Sequence, residues 1–128
     1  MQTSNVSAVL FVKDLPRVAA FYSKALGMKV TASDEHHSAF DCAGFRLVVH
    51  QIPKHIAEAI VVDQPPRRRV TAALRLDYPV RNIADSRQAA RALGGDIDET
   101  PPPWADSGAN FFFGYDPEGN QFGVNQRD

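Results

Sequence analysis

The chain has 128 residues, a formal net charge of −1 and one cysteine. This length suits one compact domain or two half-domains with a shared core, and a single cysteine excludes an internal disulfide and a zinc site built from cysteines. The 14 basic and 15 acidic residues leave no excess charge that would attract nucleic acid or an anionic membrane. We see no apolar run long enough for a membrane span and no secretory signal, and therefore expect a cytoplasmic protein.

The first half of the chain predicts a strand, a helix and three further strands. The apolar run Val6–Val12 is typical of a buried strand. Asp14 is a candidate N-cap for a helix that ends at Gly27 and has one apolar face, formed by Leu15, Val18, Phe21, Tyr22 and Leu26. Three short β-rich segments follow, MKVTAS, HSAFDCAG and FRLVVHQI.

The pattern weakens between Ile52 and Arg69 and then recurs. Prolines and the arginines at 67–69 indicate a solvated linker with one short helix near His55–Ile60, although the arginines could also form an anion-binding patch. The run VTAALRLDYPV predicts a strand, Asn82 caps a second helix that ends at Gly94 and Gly95, and ANFFFGYDPEGNQFGVNQ predicts two strands joined by a turn.

The two halves align without a gap at an offset of 68 residues. Asp14 then matches Asn82 and Gly27 matches Gly95, so the helix cap and the helix stop coincide. Residue identity between the halves is low, which makes this a repeat of pattern. The implied unit is βαβββ, used twice, with one module at about 1–60, a linker at about 61–69 and a second module at about 70–128.

Two motifs resemble the vicinal oxygen chelate superfamily, which includes glyoxalase I, bleomycin-resistance proteins, fosfomycin-resistance enzymes and extradiol dioxygenases. They are VLFVKDLPRVAAFYSKALGM in the first half and YDPEGNQFGV near the end. The resemblance spans nearly the whole chain and implies an α+β fold in which two βαβββ modules form a cupped, barrel-like mixed sheet. It places the helices outside and a ligand inside the cup, and it implies a homodimer.

Metal-dependent members of this superfamily carry His or Glu on the first and last strands of each module. The matching positions of this sequence hold Ser7, Val48 or His50, Arg75 and Gly123. Among these, His50 is the one credible ligand, because arginine is a permanent cation and glycine has no side chain. We therefore expect no metal and no other cofactor.

Strand alternation selects the side chains that face the predicted cup. The candidate ligand-binding residues are Ser7, Phe11, His50, Arg75, Asp77, Trp104, Phe112 and Gln121. Arg75 either clamps a ligand anion or pairs internally with Asp77 or another acid. His50 is a general base, a hydrogen-bond partner of the ligand, a vestigial metal position, or a histidine near the surface.

The remaining aromatic and reactive side chains leave further alternatives. Trp104 either covers a planar ligand or anchors its loop against the prolines before it. Phe112 has the opposite parity to its two neighbours and faces either the core or the cup. His36 and His37 are expected in a surface turn, and Cys42 is expected to be a small buried hydrophobe.

The sequence favours a metal-independent homodimer that binds an unidentified small molecule in its cup. One alternative is a divergent lyase, isomerase or dioxygenase-type enzyme that uses His50 and Arg75. Another is a scaffold dimer without catalytic activity, whose cup is filled by its own side chains. No nucleic acid and no membrane is expected as a partner.

Overall fold

The chain folds into two four-stranded sheets in a computed structural model, which describes residues 6–42, 44–105 and 110–126. The elements in chain order are β1 (Val6–Val12), α1 (Leu15–Lys24), β2 (Lys29–Ser33), β3 (His37–Cys42), β4 (Phe45–Gln51), α2 (Lys54–Ala57), β5 (Leu76–Val80), α3 (Ile83–Ala92), β6 (Asp96–Ile97), β7 (Phe111–Tyr115) and β8 (Gln121–Gln126).

The two sheets have the same topology. Their strand orders are β1-β4-β3-β2 and β5-β8-β7-β6. In each sheet the first strand runs parallel to the last, and the other pairs are antiparallel. The predicted repeat of a βαβββ unit is confirmed, and the sheets are cupped rather than closed into a barrel.

The two long helices, α1 and α3, begin with equivalent pairs of hydrogen bonds. Asp14 caps α1 by accepting from Arg17 N at 3.2 Å, and Asn82 caps α3 by accepting from Asp85 N at 2.9 Å. Gln51, at the end of β4, accepts from the first backbone N–H of α1 at 3.0 Å. Gln126, at the end of β8, accepts from the first N–H of α3 at 2.9 Å. The last strand of each module therefore fixes the start of its own helix.

The strand predicted from VTAALRLDYPV is shorter in the structure. β5 begins at Leu76, and residues 70–75 are exposed and lie outside any strand. The physical reason is the partner strand, since β8 begins only at Gln121 and Leu76 already pairs with Phe122. The short linker helix is present at Lys54–Ala57.

One hydrophobic core joins the two modules. The ring of Phe21 in α1 lies 5.8 Å from that of Phe122 in β8, and the ring of Tyr22 lies 5.9 Å from that of Tyr78 in β5. These side chains are almost fully buried. Because α1 belongs to the first module and Phe122 and Tyr78 to the second, neither module completes its core alone.

The Asp-Pro-Glu-Gly turn connects the modules by hydrogen bonds. The buried carboxylate of Asp116 accepts from the Tyr22 hydroxyl at 2.8 Å. The two carboxylate oxygens of Glu118 accept from the backbone N–H groups of Lys13 and Asp14, each at 2.8 Å. The turn predicted from sequence therefore also holds the β1–α1 junction of the other module. No helix in the described ranges is long and apolar enough to cross a membrane.

Candidate functional site: the cupped faces of the sheets

The first sheet has one face packed on the core and one face directed away from it. Along β1, Ala8, Leu10 and Val12 contact or belong to the core. The alternate residues Val9 and Phe11 are 51% and 61% exposed, as strand alternation predicts. β1 is therefore buried on one face only, and the prediction of a buried strand is wrong for its other face.

Strand register arranges the open face of the first sheet in three rows, each with one residue from β1, β4 and β3. The rows are Ser7, Arg46 and Asp41, then Val9, Val48 and Ala39, then Phe11, His50 and His37. The first row is closed by an ion pair in which Arg46 Nε donates to Asp41 Oδ1 at 2.9 Å. The middle row is an apolar floor. We call this arrangement the three-row face.

The third row contains two histidines side by side. The His50 ring centroid lies 5.6 Å from that of Phe11 and 6.5 Å from that of His37. His37 was expected in a surface turn, although the predicted strand segment HSAFDCAG begins with it. The turn expectation is wrong, because His37 is the first residue of β3 and pairs directly with His50. The signal available in the sequence was the tight turn at Gly44, about which the two strands fold.

Both histidines are oriented through Nδ1. His50 Nδ1 lies 2.9 Å from the carbonyl oxygen of Gln51, so Nδ1 carries the hydrogen and Nε2 of the neutral ring carries the lone pair. His37 Nδ1 lies 2.9 Å from Asp34 Oδ1. Asp34 also accepts from the backbone N–H groups of His36 and His37, and these hydrogen bonds lower its pKa. Asp34 is therefore ionised at neutral pH and holds His37 in the same tautomer.

The corresponding face of the second sheet is occupied by an ion pair and aromatic rings. Arg75 donates to both carboxylate oxygens of Asp77, at 2.7 and 3.0 Å, and this contact raises the pKa of Arg75. The guanidinium lies over the rings of Phe113 and Phe111, at 4.9 and 5.4 Å from their centroids. Of the two roles considered for Arg75, pairing with Asp77 is the one seen, and its side chain remains 36% exposed.

Gly123 makes room for this arrangement. A Cβ atom added at Gly123 would lie 2.3 Å from Asp77 Oδ1 and 2.5 Å from Phe111 Cζ. Both distances are far below van der Waals contact. The ion pair and the aromatic ring therefore occupy the space into which a side chain at this position would extend.

Gln121 is held by an arginine from the linker. Arg68 Nε donates to Gln121 Oε1 at 2.6 Å, and its two terminal nitrogens donate to the carboxylate of Asp98, each at 2.8 Å. The prediction of solvated arginines is therefore wrong for Arg68, because Asp98 provides two acceptors. Arg67 and Arg69 are exposed.

The other sequence candidates lie in different places. Phe112 pairs with Val124 on the core-facing side of the sheet, with the Arg87 guanidinium 5.2 Å from its ring, so it does not line the cup. Trp104 is 64% exposed, and its ring lies 5.4 Å from that of Phe111. Cys42, expected to be a buried hydrophobe, packs against the core but is only partly buried.

The donor set does not fit the metal site of the superfamily. Ser7 offers a hydroxyl and His50 an imidazole, but Arg75 is a cation bound to Asp77, and Gly123 has neither a donor nor space for one. Nor are three His, Cys, Asp or Glu side chains grouped for a metal ion anywhere in the described ranges. Divalent metals need several N or O donors at one point.

The family model described as a glyoxalase-like domain matches residues 7–125 of this chain. No curated protein is a sequence match. A glyoxalase/bleomycin resistance protein from Albidiferax ferrireducens is similar in structure, with a TM-score of 0.66 and 18% identity over 96% of this chain and 98% of that one.

Two further solved structures have the same fold. One is a glyoxalase-related enzyme from Fulvimarina pelagi, with a TM-score of 0.64 and 18% identity over 98% of this chain and 89% of that one. The other is the fosfomycin resistance protein FosX from Listeria monocytogenes, with a TM-score of 0.63 and 16% identity over 100% of this chain and 93% of that one. At these identities the likeness establishes the fold alone.

Proposed function

Because the chain belongs to the glyoxalase-like domain family, we propose that it binds a small organic molecule on its cupped faces without a metal ion. One observation carries the proposal: of the positions that the resemblance matches to metal ligands, Arg75 is paired with Asp77 and Gly123 has neither a side chain nor space for one. A metal ion beside Arg75 and Gly123 would face the positive charge of the guanidinium, and neither residue offers it an electron pair.

The three-row face supports a ligand with a flat apolar body. Val9 and Val48 form an apolar floor, and the exposed ring of Phe11 stands beside it. The ring nitrogens of His50 and His37 supply hydrogen-bonding groups at one end, and the Arg46 guanidinium supplies donors at the other. An apolar surface with a few polar groups at its ends is the usual character of a small-molecule site.

A second candidate function is acid–base catalysis of the isomerase or lyase type. The Asp34–His37 contact supports it, because an ionised carboxylate at Nδ1 leaves Nε2 as a base. His50 next to it has the same tautomer and could serve as the second proton-transfer group. This candidate requires a ligand with an acidic C–H bond placed above the third row.

Ligand screening in the presence of a chelator tests the first proposal. Planar small molecules are screened by thermal shift with EDTA, and hits are measured by calorimetry, since a ligand that binds the native state raises its stability. Val48→Asp introduces a charge into the apolar floor and should abolish binding. Val61→Asp is the matched control, because Val61 is 85% exposed in the linker. The proposal is refuted if every hit needs added metal, or if no hit loses its binding in Val48→Asp.

Isotope exchange separates the two candidates. A hit is incubated with the protein in D₂O and then examined by mass spectrometry. Catalysis predicts deuterium uptake or product formation that is lost in His37→Asn, whereas a pure binding protein leaves the ligand unchanged.

The homodimer remains a prediction. It is supported by the exposed apolar side chains of β1, which is the terminal strand of its sheet and carries Val6 at 73% exposure. Light scattering would show twice the monomer mass if the prediction is correct. A monomer at high concentration would refute it.

A further inference from the structure

A cavity of about 190 Å³ lies at the junction of the two sheets. β1 and β5, the terminal strands of the two sheets, both contribute to its wall. Apolar side chains from both modules form most of that wall, namely Leu10, Leu47, Leu76 and Phe122 with the rings of Tyr22 and Tyr78. Val9 is the one member of the three-row face among the lining residues.

The volume sets the size of a possible occupant. A dry apolar cavity of about 150 Å³ is large enough to bind benzene. The junction cavity, at about 190 Å³, can therefore hold a single aromatic ring with a short substituent. The apolar wall disfavours a polar body, because the polar groups of such a ligand would be buried without partners.

Arg69, which lines the cavity, is a cation for which the described residues provide no ion-pair partner. Its backbone N–H donates to the carbonyl of Gly119 at 2.9 Å, which fixes its place. Arg68 and Arg75, nearby in sequence, are each bound to an aspartate. In the described part of the chain, by contrast, no acidic side chain forms an ion pair with Arg69.

Gln121 is a second polar residue that lines the cavity. Its Oε1 accepts from Arg68 Nε at 2.6 Å. Because arginine is only a donor, this contact fixes the amide orientation and leaves Nε2 of Gln121 as a donor. A guanidinium and an amide among the lining residues offer N–H donors to a planar carboxylate, whose two oxygens are acceptors.

We infer that the junction cavity binds a small arene carboxylate, with its ring between the two sheets and its carboxylate on Arg69. Of the residues that form the three-row face, the lining residues of this cavity include Val9 alone, so failure of this site and failure of the proposed function can be distinguished by experiment. The chemistry requires a monoanion with an apolar body of about one ring.

Matched probes test the assignment by calorimetry. Phenylacetate should bind more tightly than its neutral isostere phenylacetamide. Arg69→Gln should weaken phenylacetate binding roughly 10- to 100-fold, the usual effect of losing a hydrogen bond to a charged group, and should leave toluene binding unchanged. Arg67→Gln is the control, because Arg67 is the exposed neighbour two residues away and does not line the cavity.

A cavity-filling variant completes the test. Ala8 is partly buried and lines the cavity, so Ala8→Leu should abolish binding of both phenylacetate and toluene. Circular dichroism and thermal unfolding would verify that this variant folds. Val48→Asp, which disrupts the three-row face, should leave phenylacetate binding intact. Failure of phenylacetate to bind, unchanged binding in Arg69→Gln, or loss of binding in Val48→Asp would each overturn the assignment.

Discussion

Gly123→Ala is the substitution that tests the packing of the second sheet most sharply. The added methyl group would lie 2.3 Å from Asp77 Oδ1 and 2.5 Å from Phe111 Cζ, where ordinary contact begins near 3.4 Å. The φ angle of Gly123 is not in the left-handed region, so the effect is one of space rather than of backbone strain. At least one neighbour must move by about an ångström.

Neither neighbour of Gly123 can move without losing a contact. Asp77 is held by two hydrogen bonds from Arg75, and the Phe111 ring packs against Trp104 and Phe113. Overpacking of a well-packed site typically costs about 1–3 kcal/mol, and we expect Gly123→Ala to lower the free energy of unfolding by this amount. For a chain of this size each kcal/mol corresponds to about 3–5 °C in Tm.

Urea unfolding of a double-mutant cycle checks this reasoning. Phe111→Ala removes the ring that the new methyl group meets, so Gly123→Ala should cost less in that background than in the wild type. An effect of Gly123→Ala within about 0.5 kcal/mol of zero, or an equal cost in both backgrounds, would refute the packing argument.

Three further predictions concern stability. Glu118→Ala removes the acceptor of two backbone N–H groups and should lower the free energy of unfolding in urea by about 2–4 kcal/mol. The control Glu58→Ala changes an exposed residue and should have little effect. Equal effects of the two substitutions would contradict the role of Glu118 in connecting the modules. Arg75→Gln should lower the free energy of unfolding by less than about 1 kcal/mol, because the side chains of Arg75 and Asp77 are 36% and 38% exposed and solvent screens the ion pair. A larger decrease, measured by urea unfolding, would contradict this prediction. Burial raises the pKa of the Tyr22 hydroxyl in the folded protein. As the pH rises, Tyr22 therefore loses its proton in the unfolded chain before it does so in the folded one. The free energy of unfolding should then fall as the pH rises past about 10. The fall should be smaller in Tyr22→Phe, and equal slopes between about pH 9 and 11 would argue against this cause.

Local signals were sufficient to predict the fold. Asp14 and Asn82 are N-caps as expected, and the repeat of cap, apolar face and stop corresponds to two βαβββ modules. Such features depend on residues within one turn of helix or one strand. Because these features depend only on residues close in sequence, the repeat could be recognised although the two halves have low sequence identity.

The site was less predictable because it depends on distant contacts. His37 reaches His50 only through the register of β3 and β4. Arg68 is bound to Asp98, thirty residues away, and nothing near either residue in sequence indicates the pairing. The side taken by Phe112 follows from its pairing with Val124, which parity alone left open.

Metal content measured together with ligand affinity tests the central claim most directly. Purified protein is exposed in turn to Ni²⁺, Zn²⁺, Fe²⁺ and Mn²⁺, analysed by plasma mass spectrometry after gel filtration, and titrated with a ligand hit with and without EDTA. Metal-independent binding predicts no stoichiometric metal and equal ligand affinity in both titrations. About one metal ion per chain that His50→Ala abolishes, together with loss of ligand binding in EDTA, would contradict the account.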